Sequence, residues 1–532
     1  MGSIAETSTP SSQPDAPLRR ADETAELLDA VKSLVLPFID AADKAASDRA
    51  QGRPGKQQYS QPDSSTVLVE PLPPSKLASI LALNLPTQQG LGKEGLIGLV
   101  DRVLRYSVNT WDQGFLDKLY SSTNAVGVIS DLVLSVLNNS LHVYHVSPAL
   151  TVIEKQTATA LAHLFGFTGP RAGGFTTQGG SLSNLTSIVI ARNTLYPETR
   201  TAGSNSHEFV LFTSVDGHYS IEKAAMACGM GSGSVWTVPS DTRSGAMQTR
   251  SLEQLVMRAI QQGKTPLYVN ATAGTTVLGA FDPLEEIAAV CKRYGMWMHV
   301  DASWGGPLIF SRRFGRSRFK GAELADSLTI NPHKMMNVPV PCSFLLGPDT
   351  AVFHRANTLP AGYLFHDATG TGSANAKCCG QQEDGGDEEL WDLADMTLQC
   401  GRRGDALKLA LSWVYQGSDE FERQVDGAFE LAAYMADRLD QHDSFVLVST
   451  NPPPCLQVCF YWAPGGKLGT PKENTRRTKE MVKILVPLGY MVDYAPGPRG
   501  GFFRGVLNWQ TVRGTVDGLI RALEDVGASL SL

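Results

Sequence analysis

Ser327-Leu328-Thr329-Ile330-Asn331-Pro332-His333-Lys334-Met335-Met336 places one lysine just beyond a strand-like run. Ser327 to Ile330 reads as the strand. Pro332, with no N–H to give to a ladder, ends it and presents the next side chains on a turn. Upstream, a second apolar strand ends in His299-Val300-Asp301-Ala302-Ser303-Trp304-Gly305-Gly306. An amine at one strand end and a carboxylate at another form the pair needed to hold pyridoxal phosphate. The amine makes a Schiff base, and the carboxylate keeps the pyridine nitrogen protonated so that the ring accepts electrons. Spacing alone leaves a plainer reading open, in which Lys334 is a solvated lysine and Asp301 a helix cap.

Outward from this stretch, the middle of the chain alternates strand and helix. Segments 209–212, 267–269, 297–300 and 342–346 are short apolar strands, and 283–294 is a helix that Gly295 stops. The alternation predicts an α/β fold with a mostly parallel sheet covered on both faces. Ligands of such sheets bind beyond the carboxyl ends of the strands, where Asp301 and Asn331 both fall. From Gln399 onward, helical segments 406–415 and 421–439 lead to strand-like 455–461 and 501–507. That pattern predicts a smaller C-terminal α+β domain.

The chain has 532 residues, 42% of them hydrophobic and 19% charged, a globular composition able to bury a large core. A net charge of −7 offers no basic surface for a phosphate backbone, which argues against nucleic acid as a partner. No apolar run reaches the ~18 residues of a membrane span, and the first residues lack a signal-peptide apolar core. The eight cysteines form no C-x-x-C pair and no Cys/His group with zinc spacing. No metal is therefore expected, and the thiols fit a reducing compartment, with the cytoplasm as the expected location.

Three more segments carry chemistry. Gly173 to Asn184 is a glycine-rich turn ahead of an apolar helix, where exposed N–H groups and the helix dipole suit a phosphate. It equally suits a plain connection. His218, after strand 209–214, is either a satisfied polar residue or a group lying flat on a cofactor ring with useful acid–base range. Thr272 either bonds or packs near that ring, or belongs to an ordinary polar loop.

Together these motifs resemble the group II pyridoxal-phosphate amino acid decarboxylases, nearest the glutamate and cysteine sulfinate decarboxylase branch. The resemblance runs from Tyr106 to Arg504 and includes 179–184, 211–214 with 218–220, 268–276, 279–283, 299–306, 331–336, 361–365 and 399–402. It implies fold type I: a large domain with a mostly parallel sheet, a smaller C-terminal α+β domain, and a homodimer with shared active sites. It also implies that Lys334 holds the cofactor as a Schiff base, Asp301 pairs with the pyridine nitrogen and His218 stacks on the ring. Gly180, Ser181, Leu182, Asn331 and His333 would surround the phosphate, Thr272 and Ser303 would flank the ring, and Arg504 would grip a substrate carboxylate. The expected organisation is a flexible leader with one amphipathic helix (1–64) and an N-terminal arm and dimerisation segment (65–125). A large cofactor domain (126–395) with a mobile loop (366–395) and a small domain (396–532) follow.

Several positions depart from that family. Lys118 and Tyr120 stand where glutamate decarboxylases have glutamine and serine. Lys118 either holds a second acidic group on the substrate or bridges Asp117 or a neighbour; the first is the expectation. His142 replaces an aromatic residue, which changes the pocket's polarity, and Ser303 puts a hydroxyl where alanine is usual. Trp391 falls where a loop tyrosine would donate a proton, and indole is a poor acid. The expected activity is decarboxylation of an acidic or small polar L-amino acid, such as glutamate, aspartate or cysteine sulfinate, to the amine and CO2. The alternative outcome is an aldehyde, a transamination or a new carbon–carbon bond. A non-catalytic binding protein on the same fold is the other reading.

Overall fold

The computed structural model describes residues 20–50, 68–81, 85–204, 206–359 and 390–530. The segment before Arg20, the linker before Leu68 and most of the expected mobile loop lie outside the described residues.

Among the described residues, twelve strands form two sheets. In chain order they are β1 (Phe115–Leu116), β2 (Gly173–Thr177), β3 (Phe209–Ser214), β4 (Val235–Val238), β5 (Thr265–Thr272) and β6 (Trp297–Ala302). Then come β7 (Ser327–Ile330), β8 (Ser343–Gly347), β9 (Phe445–Leu447), β10 (Gln457–Trp462), β11 (Met491–Ala495) and β12 (Phe502–Val506). The large sheet has the order β2-β8-β7-β6-β5-β3-β4 and the small one β1-β11-β12-β10-β9. In the large sheet only β8 runs against its neighbours, β2 and β7. The fold is α/β of type I, with the smaller mixed sheet toward the C-terminus.

Burial explains why the central strands read as unbroken apolar runs. Every residue of β3, β6 and β7 is buried, because helices cover both faces of the large sheet. The period of two still sorts the side chains: Val210, Phe212, Met298 and Val300 enter one core, while Phe209, Leu211 and Trp297 enter the other. Helix Leu284–Tyr294 carries Glu285 and Glu286 in its first turn and Lys292 and Arg293 in its last, matching the helix dipole. Gly295 ends it at φ 63°, a left-handed cap that suits glycine. Segments 406–415 and 421–439 fall in two helices within Ala406–Asp440, separated at Gly417, whose φ of 73° and ψ of 168° are not helical.

The N-terminal parts join the C-terminal body. β1 lies in the arm yet pairs in parallel with β11 of the small sheet. The leader helix Arg20–Ala50 packs on the C-terminal helix Arg513–Ser529. Near its end the buried Arg49 guanidinium donates to the Asp112 carboxylate and to the Gly489 carbonyl.

Candidate active site

Five connections leave the carboxyl ends of β2, β3, β5, β6 and β7 on one side of the large sheet, and together they enclose a cavity of about 280 Å³. From β2 come Gln178, Gly179, Gly180 and Ser181; from β3, His218 and Tyr219. β5 and the loop after it give Thr272, Gly274 and Thr276, β6 and its turn give Asp301, Ser303 and Trp304, and the turn after β7 gives Asn331, His333 and Lys334. Of the residues expected about the cofactor, only Leu182 is absent from the lining. Its N–H bonds back to the Gly179 carbonyl within the first turn of helix Gly180–Leu195.

Asp301 is buried at the end of β6. Asn184 Nδ2 donates to its Oδ2 at 3.0 Å and the Ser303 N–H to its Oδ1 at 3.1 Å. Burial alone would raise its pKa. The two hydrogen bonds and the nearby Lys334 charge outweigh that and hold it below the usual carboxylate value. Burial pushes the Lys334 amine down, opposed by Asp301. His218 is also lowered by burial, so it favours the neutral form. Its Nδ1 accepts the Ser220 N–H at 3.2 Å, which leaves the ring hydrogen on Nε2. His333 is driven down to about 4 by burial, with Lys334 acting in the same direction.

Support for this lining comes from residues that sequence reasoning did not single out. Asp282 accepts the Thr272 N–H and the Met247 N–H, each at 2.7 Å, and so fixes the end of β5. Burial lifts its carboxyl to about 6. Gln457, on β10, accepts from Trp304 Nε1 at 2.9 Å and donates to the Thr275 and Thr276 carbonyls. The small sheet thereby holds one wall of the cavity. Position four after Gly180 on a helix was the available signal for Asn184, and the charge in Gly279-Ala280-Phe281-Asp282-Pro283 was the signal for Asp282.

The expected substrate residues lie apart from this lining. Arg504 stands one residue behind it: Nη1 donates to the Thr276 carbonyl at 2.9 Å, and Nη2 to the Asp117 carbonyl and to Asp493 Oδ2. Its Nε is buried with no partner among the described residues. Lys118 Nζ sits 3.1 Å from both Asp117 and Asp493, so it bridges its neighbours. The Tyr120 ring is exposed beside Phe115. His142 and Trp391 belong to a separate cluster, where the His142 carbonyl takes the Ala394 N–H. There Trp391 packs edge-on to Tyr144 and under the Lys155 ammonium.

The lining fits pyridoxal phosphate. Ser303 Oγ and Asn331 Oδ1 are buried and lack partners among the described residues, although both border the cavity. A Cβ on Gly180 would lie 2.5 Å from Ser303 Oγ and 2.9 Å from Asn331 Nδ2, so only glycine lets the loop come this close. An ionised carboxylate, a partly buried amine and a helix N-terminus thus face one cavity.

The comparisons with known proteins agree. The model of the pyridoxal-dependent decarboxylase conserved domain matches residues 74–463, and the chain belongs to that family. It is a pyridoxal 5'-phosphate-dependent amino acid decarboxylase. The chain is 54% identical over 511 residues to an L-aspartate decarboxylase of Metarhizium robertsii, covering 96% of this chain and 98% of that one. To a glutamate decarboxylase-like protein of Gibberella zeae it is 39% identical, covering 84% and 89%. Mouse CSAD, a cysteine sulfinic acid decarboxylase, superposes with a TM-score of 0.82 at 32% identity, over 96% and 99% of the two chains.

Proposed function

We propose that this chain removes the α-carboxylate of L-aspartate as CO2, leaving β-alanine. The observation that carries this reading is the 54% identity, across nearly the whole of both chains, to a protein named as an L-aspartate decarboxylase. Arg504 supports it, because its guanidinium reaches the cavity wall at the Thr276 carbonyl.

When bound, the cofactor supplies the sink for the electrons that the departing CO2 leaves behind. The protein's part is to hold and orient. Lys334 offers the amine that anchors the cofactor. Asp301, kept ionised, faces the ring nitrogen. The N–H groups opening helix Gly180–Leu195, with Ser181, Asn331 and His333, hold the phosphate. Thr272 and Ser303 would border the ring, and His218 would lie over it, passing to the reacting carbon a proton that it takes up from solvent and so returning to its neutral ring. Arg504 takes a substrate carboxylate through its Nε, which has no partner among the described residues, and Lys118 acts on Arg504 through the shared Asp493 oxygen.

The working enzyme is a cytoplasmic homodimer. Helix Ala125–Leu137 buries Gly127, Ser130 and Leu134 toward its own chain but leaves Ile129, Val136 and Leu137 exposed. Val414 and Tyr415 stand out at 85% and 77% exposure. A second copy would cover such an apolar face, and it would bring further side chains to each cavity. Light scattering on the purified protein tests this; a monomer at micromolar concentration would count against it. Imaging of the tagged protein tests the compartment.

The activity test supplies pyridoxal phosphate and, separately, L-aspartate, L-glutamate and L-cysteine sulfinate. Released CO2 is measured and the products are identified by mass spectrometry. β-Alanine from aspartate with the highest kcat/KM is expected. A higher value for glutamate or cysteine sulfinate, or an aldehyde as the main product, would overturn the proposal.

A further inference from the structure

Behind the Asp301 carboxylate, buried polar groups from three elements stand in line. Trp297 Nε1–H donates to Ser327 Oγ at 2.9 Å, and that oxygen lies 2.8 Å from His299 Nδ1. His299 Nε2 lies 3.1 Å from Asn184 Oδ1. Asn184 Nδ2 reaches Asp301 Oδ2 at 3.0 Å and Ser220 Oγ at 2.9 Å. Trp297, His299, Ser327 and Asn184 are at most 4% exposed, so these groups must satisfy one another.

Their donors and acceptors fit one way round. An ionised carboxylate only accepts, so Asn184 turns its NH2 to Asp301 and its Oδ1 to His299. That oxygen also only accepts, so His299 Nε2 carries a hydrogen. Burial lowers His299 to about 4, which makes the ring neutral and leaves Nδ1 as an acceptor. Ser327 gives its hydroxyl hydrogen to Nδ1 while a lone pair takes the Trp297 N–H. Ser220 imposes no direction, because a hydroxyl serves as donor or acceptor. The Asp301 carboxylate and the His299 Nε2–H thus hold the Asn184 amide from its two sides.

We propose that His299 and Asn184 are positioning residues for the cofactor: the His299 Nε2–H orients the Asn184 amide so that its N–H faces Asp301, keeping that carboxylate ionised and aimed at the ring nitrogen. Without a donor at position 299 the Asn184 Oδ1 is left buried and unpaired, and the amide loses one of the two contacts that keep its N–H on the carboxylate. The inference rests on the placement of Asp301 at the ring nitrogen proposed above.

The test titrates the apoenzyme with pyridoxal 5'-phosphate and with the analogue carrying C–H in place of the ring nitrogen. Dissociation constants are read by absorbance and fluorescence, alongside thermal melts. His299→Phe and Asn184→Leu are expected to weaken pyridoxal phosphate binding roughly tenfold to a hundredfold, the range for losing a hydrogen bond to a charged group. The same variants should bind the analogue almost as the unaltered protein does. His299→Gln places an N–H at the same number of bonds from Cα, and it should stay within about threefold. Equal losses for both ligands, or His299→Gln behaving like His299→Phe, would reduce the two residues to core filling and overturn the proposal. If His299→Phe does not fold, Asn184→Leu and His299→Gln carry the same comparison. Asp301→Asn separates the two readings. If it fails to discriminate between the ligands, the placement of Asp301 falls; if it discriminates and Asn184→Leu does not, the orienting role alone falls.

Discussion

Arg504 and Asp493 are cross-strand partners on β12 and β11, and their side chains form an ion pair at 2.7 Å. The same Asp493 oxygen also takes Lys118 at 3.1 Å. One carboxylate thus ties two cations from separate parts of the chain into a single cluster behind the cavity wall.

Asp493→Asn keeps the shape and removes the charge that aims Arg504. KM for L-aspartate should rise about tenfold, as when a charge-assisted contact is lost, while kcat stays within about threefold. Steady-state kinetics read both. A fall in kcat with KM unchanged would argue against a role in substrate capture.

Gly180→Ala tests how closely the glycine loop approaches the cofactor. Its Cβ would lie 2.5 Å from Ser303 Oγ, so the loop or the side chain must give way. Overpacking of this kind costs about 1–3 kcal/mol, and pyridoxal phosphate should bind at least about fivefold more weakly. Unchanged affinity in an absorbance titration would show that the loop yields freely.

His299 also makes stability depend on pH. Its pKa falls from 6.5 in the unfolded chain to about 4 in the fold, so folding favours the neutral ring. That contribution is complete above pH 6.5 and is lost as pH falls toward 4, on the order of 3 kcal/mol in all. His299→Gln has no such titration. The stability gap between the parent and His299→Gln, measured by denaturant unfolding at pH 7, 5.5 and 4.5, should move in favour of the variant on acidification. A gap independent of pH would contradict the burial of a neutral ring.

Asp112→Ala leaves the Arg49 guanidinium buried without its carboxylate. The two side chains are 6% and 0% exposed, and breaking a buried pair costs about 3–5 kcal/mol. The variant should melt several degrees lower and release helix Arg20–Ala50 to limited proteolysis. An unaltered melting curve would mean that the remaining contacts of the leader helix hold it without this ion pair.

Much of the fold was legible because it depends on local chemistry. β3, β6 and β7 are buried on both faces and so read as apolar runs, and Gly295 ends its helix through a backbone geometry that glycine favours. The cavity was legible for a related reason: Gly180, His218 and Lys334 follow, and Asp301 ends, mutually parallel strands of one sheet, and such strands open to the same side. The arm was harder to place, since β1 pairs with β11, far along the chain. Segments 406–415 and 421–439 were legible as two helices, because Gly417 leaves the helical conformation between them.

The amino-acid sequence by itself determined the class of chemistry through an ordered set of motifs, 179–184, 218–220, 268–276, 299–306 and 331–336, whose resemblance to one family is carried by local sequence. Only the tertiary structure decided what surrounds them. Asn184 meets Asp301 across 117 positions, and Gln457 meets Thr275 across 182. Lys118, free by sequence to face the substrate, turned to Asp117 and Asp493. The physical reason is that hydrogen-bond direction and charge pairing are settled by which groups packing brings within about 3 Å, and chain order does not carry that distance.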